Sequence, residues 1–109
     1  MAVQEVINIA KDFSDSPGAR YISDGPHSGE EFYKNFLLPK FKSVCEKDGK
    51  LIIKLDGLMG CPPSFASASF GKLAKEYGSS KVLKHLEFIS NESPLLVERI
   101  KKVIREHST

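Results

Sequence analysis

The chain predicts an α/β domain: a four-stranded mixed sheet with about three helices packed mainly on one face, in the order β-β-α-β-α-β-α. Three observations carry this. Stretches of β-forming residues alternate with stretches whose apolar residues recur every three or four positions. Turn residues separate them, as in DSPG, DGPHSG, DGLMGCPPS and SNES. The run KLIIKLD, Lys50 to Asp56, is nearly continuously apolar and reads as a central strand covered on both faces.

Val3 to Phe13 places Ile7, Ile9 and Lys11 on one side and Asn8 and Ala10 on the other, an alternation that predicts the first strand. Asp15-Ser16-Pro17-Gly18 is a turn sequence, with proline presetting one φ and glycine allowing a positive one. Ala19 to Ser23 then predicts a short second strand paired with the first as a hairpin. Ser28 followed by Glu31 is a capping box that opens a helix, and Phe32, Phe36, Leu37 and Phe41 give it an apolar stripe. Pro39 predicts a kink, and Gly49 a stop. After the Lys50 strand, Ala66, Phe70, Leu73 and Tyr77 mark a helix starting near Ser64 and closed by Gly78. Lys84 to Ser90 alternates as the fourth strand, which places His85 on a sheet face. Ser93 and Pro94 open a last helix buried through Leu96, Ile100, Val103 and Ile104, and the terminal His107-Ser108-Thr109 frays.

A length of 109 residues predicts one domain, 1–109. The hydrophobic fraction of 40% and charged fraction of 28% fit a globular chain. The net charge of +2 gives no electrostatic reason to expect nucleic acid or an anionic membrane as partner. No apolar run approaches the ~20 residues needed to span a bilayer, and the first residues lack the pattern of a secretory leader. Cys45 and Cys61 show no CxxC spacing and no neighbouring histidine pair, so no metal is expected. Reduced thiols and a cytoplasmic location are.

If the second, third and fourth strands are parallel, their three strand-to-helix junctions share one edge of the sheet. Each junction ends in a serine, Ser28, Ser64 or Ser93, and serine at such a place first predicts a helix cap. The loop before Ser64 is longer than a cap requires. Asp24 and Asp56 sit at strand ends, where they serve a helix N-terminus or orient a ligand. Arg20, on the short second strand, is the one cation within reach. Cys61 and Ser64 form a CxxS pattern similar to monothiol redox proteins, but two prolines hold the thiol short of the helix. His27, His85 and His107 are scattered, so no catalytic set assembles and no enzyme is predicted.

The run KDFSDSPGARYISDGPHSGEEFYKNFLLP, followed by LIIKLDGLMGCPPSFASASFGKL, resembles the STAS-like domain family of unknown function. The likeness spans roughly Ile7 to Ile104 and rests on SGEEF, on the LD strand end and on SFxxxxFGKL. It implies a bacterial regulatory module, found alone or joined to ATPase-type domains, and distantly similar to the STAS domains of anti-anti-sigma factors. Those domains carry a phosphorylatable serine at the start of the helix after the LD strand. Ser64 matches that position most nearly, although Pro63 replaces the aspartate that precedes it. Relatives often carry acidic residues where this chain has Ser67, Ala68 and Ser69.

The resulting expectation is a non-enzymatic module without cofactor that binds a protein partner, a kinase-like ATPase in the resemblance. Its surface is the edge formed by Ser28, Gly29, Met59 to Ser64 and Ser67, with phosphorylation of Ser64 as an added layer. A nucleotide or anion sensor at the three helix N-termini is the alternative, and a Cys61 thiol enzyme ranks last.

Overall fold

A computed structural model describes residues 4–18, 20–59 and 61–107. The elements run β1 (Gln4–Asn8), α1 (Ile9–Asp12), a 3-10 turn (Ile22–Asp24), α2 (29–46), β2 (Lys50–Lys54), α3 (63–77), α4 (Ser79–His85), β3 (Leu86–Ile89) and α5 (Pro94–His107). The α/β class holds, but the sheet differs from expectation. Among the described residues it has three strands in the order β1-β2-β3, and both pairings are parallel, with Gln4 opposite Lys50 and Leu51 opposite Leu86.

The expected hairpin fails for a local reason. Asn8 ends β1 by capping α1: its side-chain oxygen accepts from the Lys11 N–H at 3.2 Å, and Asp12 accepts from the Asn8 N–H at 2.9 Å. This reciprocal pair turns the chain into a helical turn where alternation predicts more strand. The expected second strand is the 3-10 turn Ile22–Asp24, with Arg20, Tyr21 and Ile22 exposed; Ala19 lies outside the described residues, as does Val3 of the first strand. Without a hairpin, β1 joins β2 through the crossover helix α2, which is what a parallel pair requires.

The strands bury one face only. Ile7, Leu51, Ile53 and Leu86 lie under the helices, while Val6, Lys50, Lys54 and Glu87 are exposed on the other side. The expectation that β2 is covered on both faces is therefore overturned. Its alternate residues face outward, with Ile52 half-buried between Val6 and Glu87.

Ser28 opens α2 as predicted: its hydroxyl accepts from the Glu31 N–H at 3.0 Å. Pro39 does not split the helix. A π-turn at Tyr33–Leu37 precedes it, with the Leu38 N–H reaching back to the Tyr33 carbonyl, and α2 then continues. A second π-turn, Ser67–Gly71, sits within α3. The two helices meet at an aromatic cluster in which Phe32 lies 5.5 Å from Phe65 and 6.0 Å from Phe70, and Phe70 packs edge-on to Phe88 at 5.4 Å. Gly78, at φ 90°, closes α3 and leads directly into α4, a helix that the pattern did not predict. His85 ends α4 and so is no sheet-face residue. It is buried, and its Nδ1 donates to the Gly49 carbonyl at 2.8 Å. Among the described residues no helix is long and apolar enough to cross a membrane.

Candidate functional site

Parallel strands put all three carboxyl ends on one edge of the sheet, and the long loops there hold one another in place. The Met59 N–H donates to the Asp15 carbonyl at 2.7 Å, tying the loop after β2 to the loop after α1. Asp56 accepts from the Asn91 and Glu92 N–H groups at 2.8 and 2.9 Å, and the Gly57 N–H donates to Glu92 at 2.5 Å. These N–H bonds, those from Glu92 and Asn91 foremost, hold the Asp56 carboxyl below the usual aspartate range. Asp56 is therefore a fastener between the loops that precede α3 and α5.

Five large apolar side chains are exposed among the described residues: Val6, Tyr21, Ile22, Met59 and Leu95. All but Val6 lie in segments that follow a strand's carboxyl end, and Met59, at 80% exposure, is the most open of them. Isolated apolar side chains at a surface are ordinary. Here Tyr21 and Ile22 stand at the start of the 3-10 turn, Met59 in the loop after β2 and Leu95 in the first turn of α5.

The three junction serines are not equivalent. Ser28 is fully buried and its hydroxyl is used as a cap. Gly29 beside it is a packing point: a Cβ there would lie 2.6 Å from the Phe65 carbonyl oxygen and 2.8 Å from the Ala68 Cβ. Neither residue reaches the expected binding surface, and the start of α2 is sealed against an anion. Ser64 departs from the capping prediction. Pro62, in extended conformation, is the residue before the helix, and Pro63 takes the first helical position. Ser64 thus sits within the first turn, half-buried, with no side-chain hydrogen bond among the described residues. Ser93 is exposed ahead of Pro94, and its carbonyl accepts from the Leu96 N–H at 3.0 Å.

Cys61 is half-buried against α5 in a groove with Pro63, Leu96 and Ile100. Burial pushes its thiol up to about 11, opposite to the shift a helix-activated thiolate needs. Asp24 is at the end of the 3-10 turn and not at a strand end; its carboxylate accepts from the Tyr21 N–H at 3.3 Å. Gly60, within the expected Met59 to Ser64 surface, lies outside the described residues.

Arg20 and Ser67 meet on the wall of a cavity of about 580 Å³, with Tyr21, Glu30, Lys72, Lys75, Glu76 and His107. Sequence reasoning named the first two but missed the lysines and His107. The terminal histidine is not frayed. Its Nδ1 faces the Val103 carbonyl at 2.9 Å, so in the neutral ring that nitrogen carries the hydrogen and Nε2 is left to accept from the Ser67 hydroxyl at 2.8 Å. The ring lies against Gly71, where a Cβ would come within 3.0 Å of it. Gly71 was the available signal: a glycine inside a helical pattern often admits a close neighbour. The Ser67–His107 pair has the spacing of a nucleophile and its base, but a neutral carbonyl stands where triads place a carboxylate. Among the described residues no group of three or more His, Cys, Asp or Glu side chains could hold a metal ion.

No curated protein and no solved structure is detectably similar to the chain. The family model for the STAS-like domain of unknown function (DUF4325) matches residues 28–96, from the buried cap of α2 through β2, α3 and β3 into the first turn of α5. That match covers most of the chain and every element of the edge except the loop after α1. The chain belongs to the family of STAS-like domains of unknown function.

Proposed function

We infer that the domain is a non-enzymatic, cytoplasmic regulatory module that binds a protein partner through the carboxyl edge of its sheet. The observation that carries this is that Tyr21, Ile22, Met59 and Leu95, all exposed, fall in the segments after the carboxyl ends of the three strands, whose loops are tied through Met59 to Asp15 and through Asp56 to Asn91 and Glu92. Aromatic residues and methionine are enriched where protein interfaces lose their water, and methionine adapts its shape to a partner. The resemblance to domains joined to ATPase-type proteins supports a kinase-like ATPase as the partner. Ser64 supports a regulatory layer. A phosphate there would add about 1.5 to 2 negative charges at a helix N-terminus, where the helix tolerates them, beside the apolar edge, where a docked partner would not.

The test is a double substitution, Tyr21→Ser with Met59→Ser, in the native host. Both side chains are exposed, so the fold should survive. Co-purification of an ATPase-type protein with the original chain, and its loss with the double variant, is the expected result. Retention of that partner by the double variant would overturn the assignment of the edge.

A further inference from the structure

The cavity between α3, the loop after α1 and the end of α5 shares only Tyr21 with the exposed apolar edge, and its lining has a different chemistry. Three cations line it. Arg20 and Lys75 have no side-chain partner among the described residues, and Lys72 holds its ammonium 5.1 Å from the centre of the Tyr33 ring. The two carboxylates are engaged. Glu30 accepts from the Ile22 N–H at 2.8 Å and pairs with Lys34 at 3.4 Å, and Glu76 accepts from the Tyr33 hydroxyl. The lining thus sets three cations against two carboxylates, one of which, Glu30, is already paired with Lys34. Ser67 gives its hydrogen to His107, which leaves the lone pairs of its oxygen free to accept. The engaged carboxylates also keep acceptor capacity, since each has about four lone-pair sites. Tyr21 adds an aromatic wall.

A ligand suited to this lining carries a compact dianion for the cations, hydroxyl donors for the acceptors and a carbon face for the ring. We propose that the cavity binds a small sugar phosphate. Arg20 offers its planar fork and Lys75 a point charge to the phosphate, a combination that matches several equivalent oxygens better than a single flat carboxylate. Ser67 Oγ accepts from a sugar hydroxyl, and Tyr21 covers the ring. A cavity of about 580 Å³ lies within the usual range for small-molecule sites. The site is on the flank of α3, with Glu30 of the first turn of α2 on its wall.

The experiment is a titration of the full chain, followed by amide chemical shifts, with ribose 5-phosphate, ribose and inorganic phosphate as separate probes. Ribose 5-phosphate should produce saturable shifts at Arg20, Ser67, Gly71, Lys72 and Lys75. Free phosphate should bind at least about tenfold more weakly, and ribose alone should not saturate. The double substitution Arg20→Ala with Lys75→Ala, both exposed, should weaken ribose 5-phosphate at least about tenfold with the spectrum otherwise intact. Lys42→Ala with Lys47→Ala, exposed lysines that do not line the cavity, should leave binding unchanged. Shifts that never saturate, shifts mapping away from the cavity, or equal weakening by both lysine-bearing double variants would overturn the proposal. Phosphate binding as tightly as ribose 5-phosphate would overturn its sugar part.

Discussion

Ser28 and Ser64 start from the same sequence signal, a serine between a turn-rich loop and an apolar helical stripe, and end in opposite situations. Ser28 is buried, bonded to the Glu31 N–H, and followed by a glycine pressed against the Phe65 carbonyl. Ser64 is half-buried behind two prolines with its hydroxyl unused among the described residues. The first junction is part of the core. The second is half-open to solvent, on the same strand-to-helix stretch as Met59, the most exposed large apolar side chain among the described residues. A serine at a helix start is thus not one thing. Its role depends on whether the residue after it lets another helix close over it, and Gly29 does so at α2.

That contrast can be broken deliberately. The largest effect should come from Gly29→Ala, whose methyl would meet backbone 2.6 Å away. Backbone cannot swing aside as a side chain does, so we expect a loss of about 3 kcal/mol, read as a lowered urea midpoint. Ser28→Ala should cost about 1 to 2 kcal/mol, because the part-buried Glu31 N–H loses its acceptor. Ser64→Ala should stay within about 0.5 kcal/mol of the original chain in the same assay. If Ser28→Ala and Ser64→Ala prove equally costly, the distinction between a sealed and an open junction fails. Ser64→Glu is expected to be equally mild for stability while weakening retention of the partner.

Acid should act on the edge as well. The Asp56 carboxyl titrates lower in the folded chain than the ordinary value of about 3.9. Its contribution to stability is therefore complete above that ordinary value and is lost as pH falls through the depressed one. Asp56→Asn should flatten this part of the acid side of the stability profile, measured as the urea midpoint from neutral pH downward. An unchanged profile would mean that the bonds to Asn91 and Glu92 do not hold the loops in solution.

How much of this was legible depends on how local the cause is. SGEEF announced α2 because a capping box is contained in a few adjacent residues, and the apolar run at Lys50 announced β2. The hairpin was misread because the Asn8 side chain accepts from the Lys11 N–H and Asp12 from the Asn8 N–H, so Ile9 is buried from a helical turn while keeping the spacing of a strand residue. α4 was missed because its sequence, SSKVLKH, is too short to show a helical period. At the candidate site, Arg20 and Ser67 were named as separate residues. What joins them is tertiary: α5 returns along α3 and sets His107 against Gly71, about forty positions away in the chain. The exposure of Tyr21 and Ile22 was equally hidden, because they read as part of a short strand until that strand is found to be a turn.

The central claim is that the carboxyl edge is the working surface of this STAS-like domain. Its most direct test places a photo-reactive amino acid at position 59, and separately at position 47, an exposed site just before β2 at the opposite end of the sheet. Irradiation in the native host should attach an ATPase-type protein to the chain labelled at 59 and not to the chain labelled at 47. Adducts that favour position 47, or the absence of any adduct at 59 alongside a co-purifying partner, would contradict it.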